Sequence, residues 1–177
     1  ILMDHRVTII GGGLAGCEAA WQLLRRGHAV EMYEMKPQKF SEAHKMENLA
    51  ELVCSNSLKS NSLDNAPGLL KEEMRLLDSV IMKAADKTAV PAGSALAVDR
   101  LLFAREVEAR LSEQAAFTLY RHEVTAIPND TVTIIATGPL TSDAMAHDIS
   151  RRLGGASLYF YDAIAPIVEA DSIDMNK

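Results

Sequence analysis

The sequence lacks any apolar run long enough to span a bilayer, although 48% of its 177 residues are hydrophobic. It lacks a secretory signal: Ile1-Leu2-Met3 is too short for an h-region, and Met3 is read as the start. It has only two cysteines, Cys17 and Cys54, which make no disulfide framework and leave a reducing cytoplasm as the default compartment. It has no excess of positive charge. The net charge of −6 speaks against a strong basic nucleic-acid footprint on this stretch, and leaves one open elsewhere in a longer protein. The five histidines (His5, His28, His44, His122, His147) show no metal spacing such as His-x-x-x-His. No internal repeat or low-complexity segment is present. These absences leave a soluble chain long enough for one sizeable core.

What is present is concentrated near the start. Val7 to Ile10 form a β-branched run that reads as a buried strand. Gly11, Gly13 and Gly16 follow at G-x-G-x-x-G spacing. The first serves a tight turn, the second a close approach to a pyrophosphate, the third the packing of a helix on the strand. That helix is expected from about Leu14, with amides and dipole favouring an anion, and Gly27 is placed to stop it. A second strand, Ala29 to Tyr33, ends at Glu34, where a carboxylate can accept from a ribose 2′-hydroxyl and would repel a 2′-phosphate. A plain βαβ turn with no ligand is the alternative. The complete strand–turn–helix–strand–acid context favours an ADP-containing dinucleotide.

Further along, Pro37 ends regular structure and residues 38–65 read as an irregular, polar stretch. Pro67 is expected to open a helix whose stripe of Leu70, Met74, Leu77, Ile81 and Ala84 faces the core as far as Asp86. Val90 to Gly93 is a break, and Asp99 can cap a helix burying Phe103, Val107 and Leu111. Short strands are expected over Phe117–Tyr120, Glu123–Ile127 and Thr131–Ala136, then a helix capped at Thr141 or Ser142 and ended by Gly154, then a strand over Leu158–Tyr161.

About eighty residues separate the second strand from the next, and a small meander follows. That spacing suits the two-dinucleotide flavoprotein folds better than a simple NAD dehydrogenase. The apolar strand ending in Ala136-Thr137-Gly138 is the second element such folds bring to the dinucleotide. The expected class is therefore α/β: a Rossmann-like FAD-binding domain of the glutathione-reductase type, mostly parallel with a small β-meander. The late glycine-rich helix start that closes such folds is missing from residues 139–177, so residues 1–177 are read as the N-terminal part of that domain, with its remainder and a second domain beyond.

Several segments resemble one family: Gly11-Gly12-Gly13-Leu14-Ala15-Gly16-Cys17-Glu18, Tyr33-Glu34-Met35-Lys36-Pro37, Leu52-Val53-Cys54-Ser55-Asn56-Ser57, Ala66-Pro67-Gly68-Leu69-Leu70-Lys71-Glu72-Glu73-Met74, Val90-Pro91-Ala92-Gly93, Ala136-Thr137-Gly138-Pro139-Leu140 and Tyr161-Asp162-Ala163-Ile164-Ala165-Pro166. Together they are similar to the folate- and FAD-dependent tRNA (uracil-5-)-methyltransferases (TrmFO). The glycine motif is shared with related wobble-uridine flavoproteins; the Cys-Ser-Asn-Ser and Tyr-Asp-Ala-Ile-Ala-Pro segments separate the two. The resemblance implies FAD as cofactor, methylenetetrahydrofolate as carbon donor, NAD(P)H as reductant and C5 of a T-loop uridine in tRNA as acceptor. A wobble-uridine enzyme, or a non-catalytic module that holds FAD and binds tRNA, are the competing readings. The 177 residues alone are expected to be inactive.

The candidate cofactor residues are Gly11, Gly12, Gly13, Leu14, Ala15 and Gly16 in the turn, Glu34 and Lys36 after the second strand, and Ala136, Thr137 and Gly138. Cys54 is the candidate catalytic thiol, in a loop where serine, asparagine and Lys59 could lower its pKa; a buried, inert thiol is the alternative. The family's second cysteine has no match here. Cys17 is read as packing. Glu18 is left between the flavin side of the cleft and a capping role, and Arg100 between a phosphate contact and a surface position.

Overall fold

The computed structural model describes residues 6–154, so the strand expected over Leu158–Tyr161 and the Tyr161–Pro166 segment lie outside the described residues. Strand β1 (Arg6–Ile10) buries Val7, Thr8, Ile9 and Ile10. Burial of consecutive residues puts apolar contacts on both faces, as a central parallel strand requires. Helix α1 (Leu14–Arg25) starts at Gly13 with no side-chain cap and buries Gly16, Cys17, Ala20 and Trp21. It ends where Gly27 takes φ 82°: Gly27 N–H donates to Leu24 O (3.0 Å) and His28 N–H to Leu23 O (3.1 Å), a Schellman closure. Strand β2 (Ala29–Tyr33) runs parallel to β1, with Ile9 beside Met32.

The stretch expected to be irregular contains a strand, β3 (Ser57–Ser60). Its sequence, Ser-Leu-Lys-Ser, carries no alternating apolar signal; a partner distant in sequence makes it a strand. The single helix expected from Pro67 to Asp86 is two. Helix α2 (Ala66–Leu76) is capped by the Asn65 side chain accepting from Gly68 N–H, and helix α3 (Val80–Lys87) by Ser79 accepting from Met82 N–H. Asp78 lies between them in the left-handed region (φ 61°), and its carbonyl accepts from Trp21 Nε1 (2.8 Å). The change of direction splits the stripe: Ile81 and Ala84 are buried, whereas Leu70 and Leu77 are 56% and 66% exposed.

The break at Val90–Gly93 is a hairpin turn between β4 (Ala89–Val90) and β5 (Ala95–Val98). Helix α4 (Arg100–Ser112) is capped by Asp99, whose carboxylate accepts from Leu102 N–H (2.9 Å), and buries Phe103, Val107 and Leu111 as expected. Strands β6 (Phe117–Tyr120) and β7 (Val132–Ile135) follow, then α5 (Asp143–Arg152), which ends at Gly154.

The main sheet is four-stranded and parallel, in the order β6-β2-β1-β7. The meander expected over 117–136 is therefore corrected. Residues 123–127 form no strand, and β6 and β7 stand at opposite edges, Phe117 of β6 paired with Val30 of β2 and Val132 of β7 with Val7 of β1. The antiparallel component of the fold lies elsewhere, in the small sheet β3-β5-β4. Helices α1, α3 and α4 pack on one another, with α1 on β1 and β2 and α4 on β6. The core between them includes Ile9, Met32, Trp21, Val80, Phe103 and Val107. Burying side chains of this kind contributes about 1.5–3 kcal/mol each.

Candidate functional site

The C-terminal ends of β1, β2 and β7 converge on one cleft of about 90 Å³. Its walls include Gly11, Gly12 and Gly13 from the turn, Tyr33, Glu34 and Lys36 after β2, and Ala136 and Thr137 after β7. This is the carboxyl end of a parallel sheet, where open α/β folds bind ligands.

The turn is shaped by what passes it. Gly11 has φ 106°, and a Cβ there would lie 2.6 Å from the Ala136 carbonyl oxygen. Ala136 N–H in turn donates to Ile10 O (2.7 Å). The structure thus brings the glycine turn and the Ala136–Gly138 segment into direct contact, although they lie at opposite ends of the described chain. A Cβ on Gly16 would meet Gly11 O at 1.9 Å, so only glycine lets α1 approach this closely.

Backbone donors around the turn divide into two sets. Gly11 N–H donates to Tyr33 O (2.8 Å) and Gly12 N–H to Glu34 Oε2 (2.9 Å). The first turn of α1 has no intrahelical acceptors for its amides and no side-chain cap, so its donors are the ones open to an anion. Gly13 faces open space, with nothing within 4 Å of a Cβ built there. Leu14 and Ala15 contribute that first turn, but their side chains line a second cavity, described below.

Glu34 is buried, 6% exposed. Its two carboxylate oxygens accept from Gly12 N–H and from Lys36 N–H (3.0 Å), which fixes the group at the rim of the cleft. Lys36 is placed differently from a cleft-facing cation. Its ammonium donates to Asn48 O (2.8 Å) and pairs with Glu51 (3.2 Å), so its charge is taken up by protein acceptors. Gly138 sits just beyond the cleft with φ 67°; its carbonyl accepts from the Thr141 hydroxyl (2.7 Å).

The cleft also has walls that the sequence reading missed. Tyr33 stacks on Tyr120 (centroids 4.9 Å apart) and meets His122 edge-on (5.1 Å), and Tyr33 and His122 both line the cleft. Burial raises the Tyr33 phenol above its usual value, so it stays neutral. His44, hydrogen-bonded to the Ser41 hydroxyl (2.6 Å), also lines the cleft; burial, with the Lys36 charge, lowers its pKa. The available signal was position: Tyr33 immediately precedes the acid, and Tyr120 ends the strand beside it.

Cys17 packs in the core and donates to Gly12 O (3.3 Å); burial pushes its thiol up to about 12. Cys54 is exposed, in the segment before β3, and is not among the residues lining the glycine cleft. Glu18 caps α3, its carboxylate accepting from the Ser79 hydroxyl (2.7 Å) and Ile81 N–H (3.2 Å). Arg100 lies exposed in the first turn of α4. The second cavity, about 610 Å³ and mostly apolar, lies between α1 and α2 and is lined by Leu14, Leu58, Leu70 and Met74 with Glu18, Lys59 and Lys71 among them. Among the described residues no group of three or more His, Cys, Asp or Glu is placed to hold a metal, and no helix is long and apolar enough to cross a membrane.

A parallel sheet, a glycine turn opening a helix and a carboxylate at the tip of the second strand define an α/β protein of the Rossmann-like class. Residues 6–177 match the family described as Glucose inhibited division protein A, and the chain belongs to that family. It is 60% identical over 174 residues to the methylenetetrahydrofolate--tRNA-(uracil-5-)-methyltransferase TrmFO of Syntrophus aciditrophicus (strain SB), covering 98% of this chain and 40% of that relative. It is 61% identical to the protein of the same name from Lactobacillus helveticus (strain DPC 4571), covering 98% and 43%. The resemblance read from the sequence motifs is thus to the right group of proteins. The chain spans about two fifths of the length of these relatives. Among solved structures, the GidA-related protein from Thermus thermophilus aligns at TM-score 0.42 and 15% identity, over 77% of this chain and 54% of that one.

Proposed function

We propose that the chain is part of the FAD-binding domain of a cytoplasmic tRNA methyltransferase, the rest of that domain and a second domain lying elsewhere in the protein. The enzyme forms 5-methyluridine in the T-loop of tRNA, with methylenetetrahydrofolate as carbon donor and NAD(P)H as reductant. Relatives at 60% and 61% identity are named methylenetetrahydrofolate--tRNA-(uracil-5-)-methyltransferase, which supports the carbon donor, the tRNA acceptor and the C5 position of uracil. The observation that carries the reading is the convergence of three pieces in one cleft: the uncapped α1 N-terminus, the pinned Glu34 carboxylate and the Ala136-Thr137 pair.

The residues fit an ADP-containing dinucleotide. Gly13 leaves room beside the open amides for a diphosphate. Glu34 is held where a ribose hydroxyl can donate to it, with one oxygen supported from each side by a backbone amide. FAD, when bound, supplies the redox chemistry that passes electrons from NAD(P)H to the transferred carbon. The protein's part is position and a nucleophile.

Cys54 supplies the nucleophile in this reading. Its thiolate adds to C6 of the uracil, forming an S–C6 bond and moving an electron pair onto C5 and O4. The enolate attacks the methylene electrophile through C5. Loss of the C5 proton then expels the carrier nitrogen as its bond to the methylene carbon breaks, leaving an exocyclic methylene on C5. A hydride, which reduced FAD would supply at the expense of NAD(P)H, would turn that carbon into the methyl group, and re-forming C5=C6 breaks the S–C6 bond and returns the thiolate. Cys54 is exposed, as a thiol that must meet a macromolecular substrate has to be.

The test uses the full-length protein. It purifies with a flavin spectrum that NAD(P)H bleaches, and with methylenetetrahydrofolate it converts the T-loop uridine. Cys54→Ala retains the flavin and loses methyl transfer. Undiminished methylation by that variant removes Cys54 from the mechanism, and a colourless protein that refuses FAD overturns the whole reading.

A further inference from the structure

Behind Glu34 stands a buried cation. Lys36 is only 3% exposed. Its ammonium donates to Asn48 O (2.8 Å) and to Glu51 Oε2 (3.2 Å). The other Glu51 oxygen accepts from Lys45 N–H (2.8 Å) and Met46 N–H (3.1 Å). Lys36 and Glu51 therefore draw residues 45–51 into one strap. The strap is seated on the glycine turn: Ala50 N–H donates to Gly12 O (2.8 Å). Leu49 Cδ2 lies 2.4 Å from where a Cβ on Gly12 would be, which leaves the strap no slack over that residue. Ala50 takes φ 52° to make this contact, a conformation a non-glycine residue adopts only when its surroundings impose it.

Gly12 is thus held from both sides. Its N–H is bound by Glu34 and its C=O by the strap. The two holds meet again in Lys36, whose backbone amide supports Glu34 and whose side chain supports the strap. A lysine two residues after the ribose-binding acid would by position be assigned to the cofactor's phosphates. Here its charge is spent on protein acceptors.

We infer that Lys36 is a positioning residue: its ammonium, through Glu51, holds the 45–51 strap on Gly12, and so sets the glycine turn and Glu34 in the geometry that binds the dinucleotide. This rests on the dinucleotide reading of the cleft. A cation that touched the ligand would contribute to binding independently of Glu51; a cation that acts through the strap, by way of Asn48 O and Glu51, shares its contribution with Glu51, so that the two losses do not add.

The experiment is a double-mutant cycle in the full-length protein: Lys36→Met, Glu51→Gln, the pair together, and Lys36→Arg. Two quantities are read: the dissociation constant of FAD from flavin-fluorescence titration of the apoprotein, and amide hydrogen exchange of Lys45, Met46 and Ala50 without FAD. Each single variant is expected to weaken FAD at least about tenfold, and the double variant to be no weaker than the worse single. Lys36→Arg is expected to restore affinity to within about threefold, since it keeps the charge and the donors. Strap amides are expected to exchange at least about tenfold faster in Lys36→Met. Additive losses would make Lys36 a ligand of the cofactor, and a loss in Lys36→Met with none in Glu51→Gln would remove Glu51 from the hold on the strap; either result overturns the inference. Unchanged exchange in the strap also overturns it, and that readout decides even if the wild-type protein proves not to bind FAD. Should Lys36→Met fail to fold, Glu51→Gln and Lys36→Arg carry both measurements.

Discussion

Two glycines of one turn differ in what a methyl group would cost, and the difference separates folding from binding. At Gly16 a Cβ would lie 1.9 Å from the Gly11 carbonyl oxygen, which is backbone and cannot step aside. Gly16→Ala is expected to lower the melting temperature by roughly 5–10 °C or prevent folding, the cost of pushing α1 off the strand. At Gly13 nothing lies within 4 Å and φ is −73°, an ordinary value for any residue. Gly13→Ala should therefore melt within about 2 °C of the parent yet weaken FAD by about tenfold or more, because the methyl occupies room left for the diphosphate. Calorimetry and flavin titration of the two variants check this; a Gly13→Ala protein with unchanged FAD affinity would mean that the open face of the turn is not the ligand's. The two cysteines divide in the same way. Burial pushes the Cys17 thiol up to about 12, while Cys54 is exposed. Alkylation of native protein at about pH 8, mapped by peptide mass, is expected to modify Cys54 and to reach Cys17 only after denaturation.

At the scale of elements, the helix pair α2 and α3 depends on a junction rather than on a stripe. The Ser79 hydroxyl oxygen accepts from Met82 N–H (3.1 Å) and its proton goes to Glu18 (2.7 Å), so one side chain caps α3 and ties it to α1. Ser79→Ala is expected to cost about 1–2 kcal/mol, a fall of roughly 2–8 °C in melting temperature, with FAD affinity unchanged. The junction also marks where the sequence stopped being readable. The 3.6-residue period runs through Leu77 and Ile81 without interruption, and Asp78 in the left-handed region leaves no trace in that pattern. Elements announced by local chemistry were legible: the β-branched β1, the stop of α1 at Gly27, the Asp99 cap of α4, and Glu34 at the end of β2. Elements defined by a distant partner were not. β3 is polar and becomes a strand by pairing with β5, and β6 and β7 read as neighbours until their pairing with β2 and β1 puts them at opposite edges. The site divides along the same line. The turn and the acid were local signals. Lys36 was not, because its destination depends on residues 45–51 folding back over Gly12.

At the scale of the whole molecule, stability is tied to carboxylates that cations and amides hold below their usual range. Asp148 is held lowest: Arg151 and Arg152 donate to it, as does Ile127 N–H (2.9 Å), which fastens α5 to the segment before β7. The Glu106 carboxyl is lowered by Lys87 and Arg110, and Glu123 by Lys39 and Ser142. Glu51 is lowered in spite of opposing burial, by Lys45 N–H, Lys36 and Met46 N–H. Each has a folded pKa below its unfolded one, so the unfolded chain binds more protons as the medium is acidified. Their contribution is complete above the unfolded values, about 4, and is lost as pH falls through the lower folded values. The urea midpoint is therefore expected to slip slightly from about pH 7 to 5, where the unfolded chain protonates His44 more readily than the fold does, and to decline more steeply below about pH 4 as the carboxylates are lost. Asp148→Asn sharpens the test, because it removes the most strongly held of these groups and leaves the others. The variant should be less stable than the parent at about pH 7 and lose less on acidification. The gap between the two should narrow steadily from about pH 4 to 2, as the unfolded parent takes up a proton that folded Asp148 still refuses. Parallel curves for the two proteins over that whole span would show that Asp148 carries the same charge folded and unfolded, and that α5 is held to Ile127 by something other than this carboxylate.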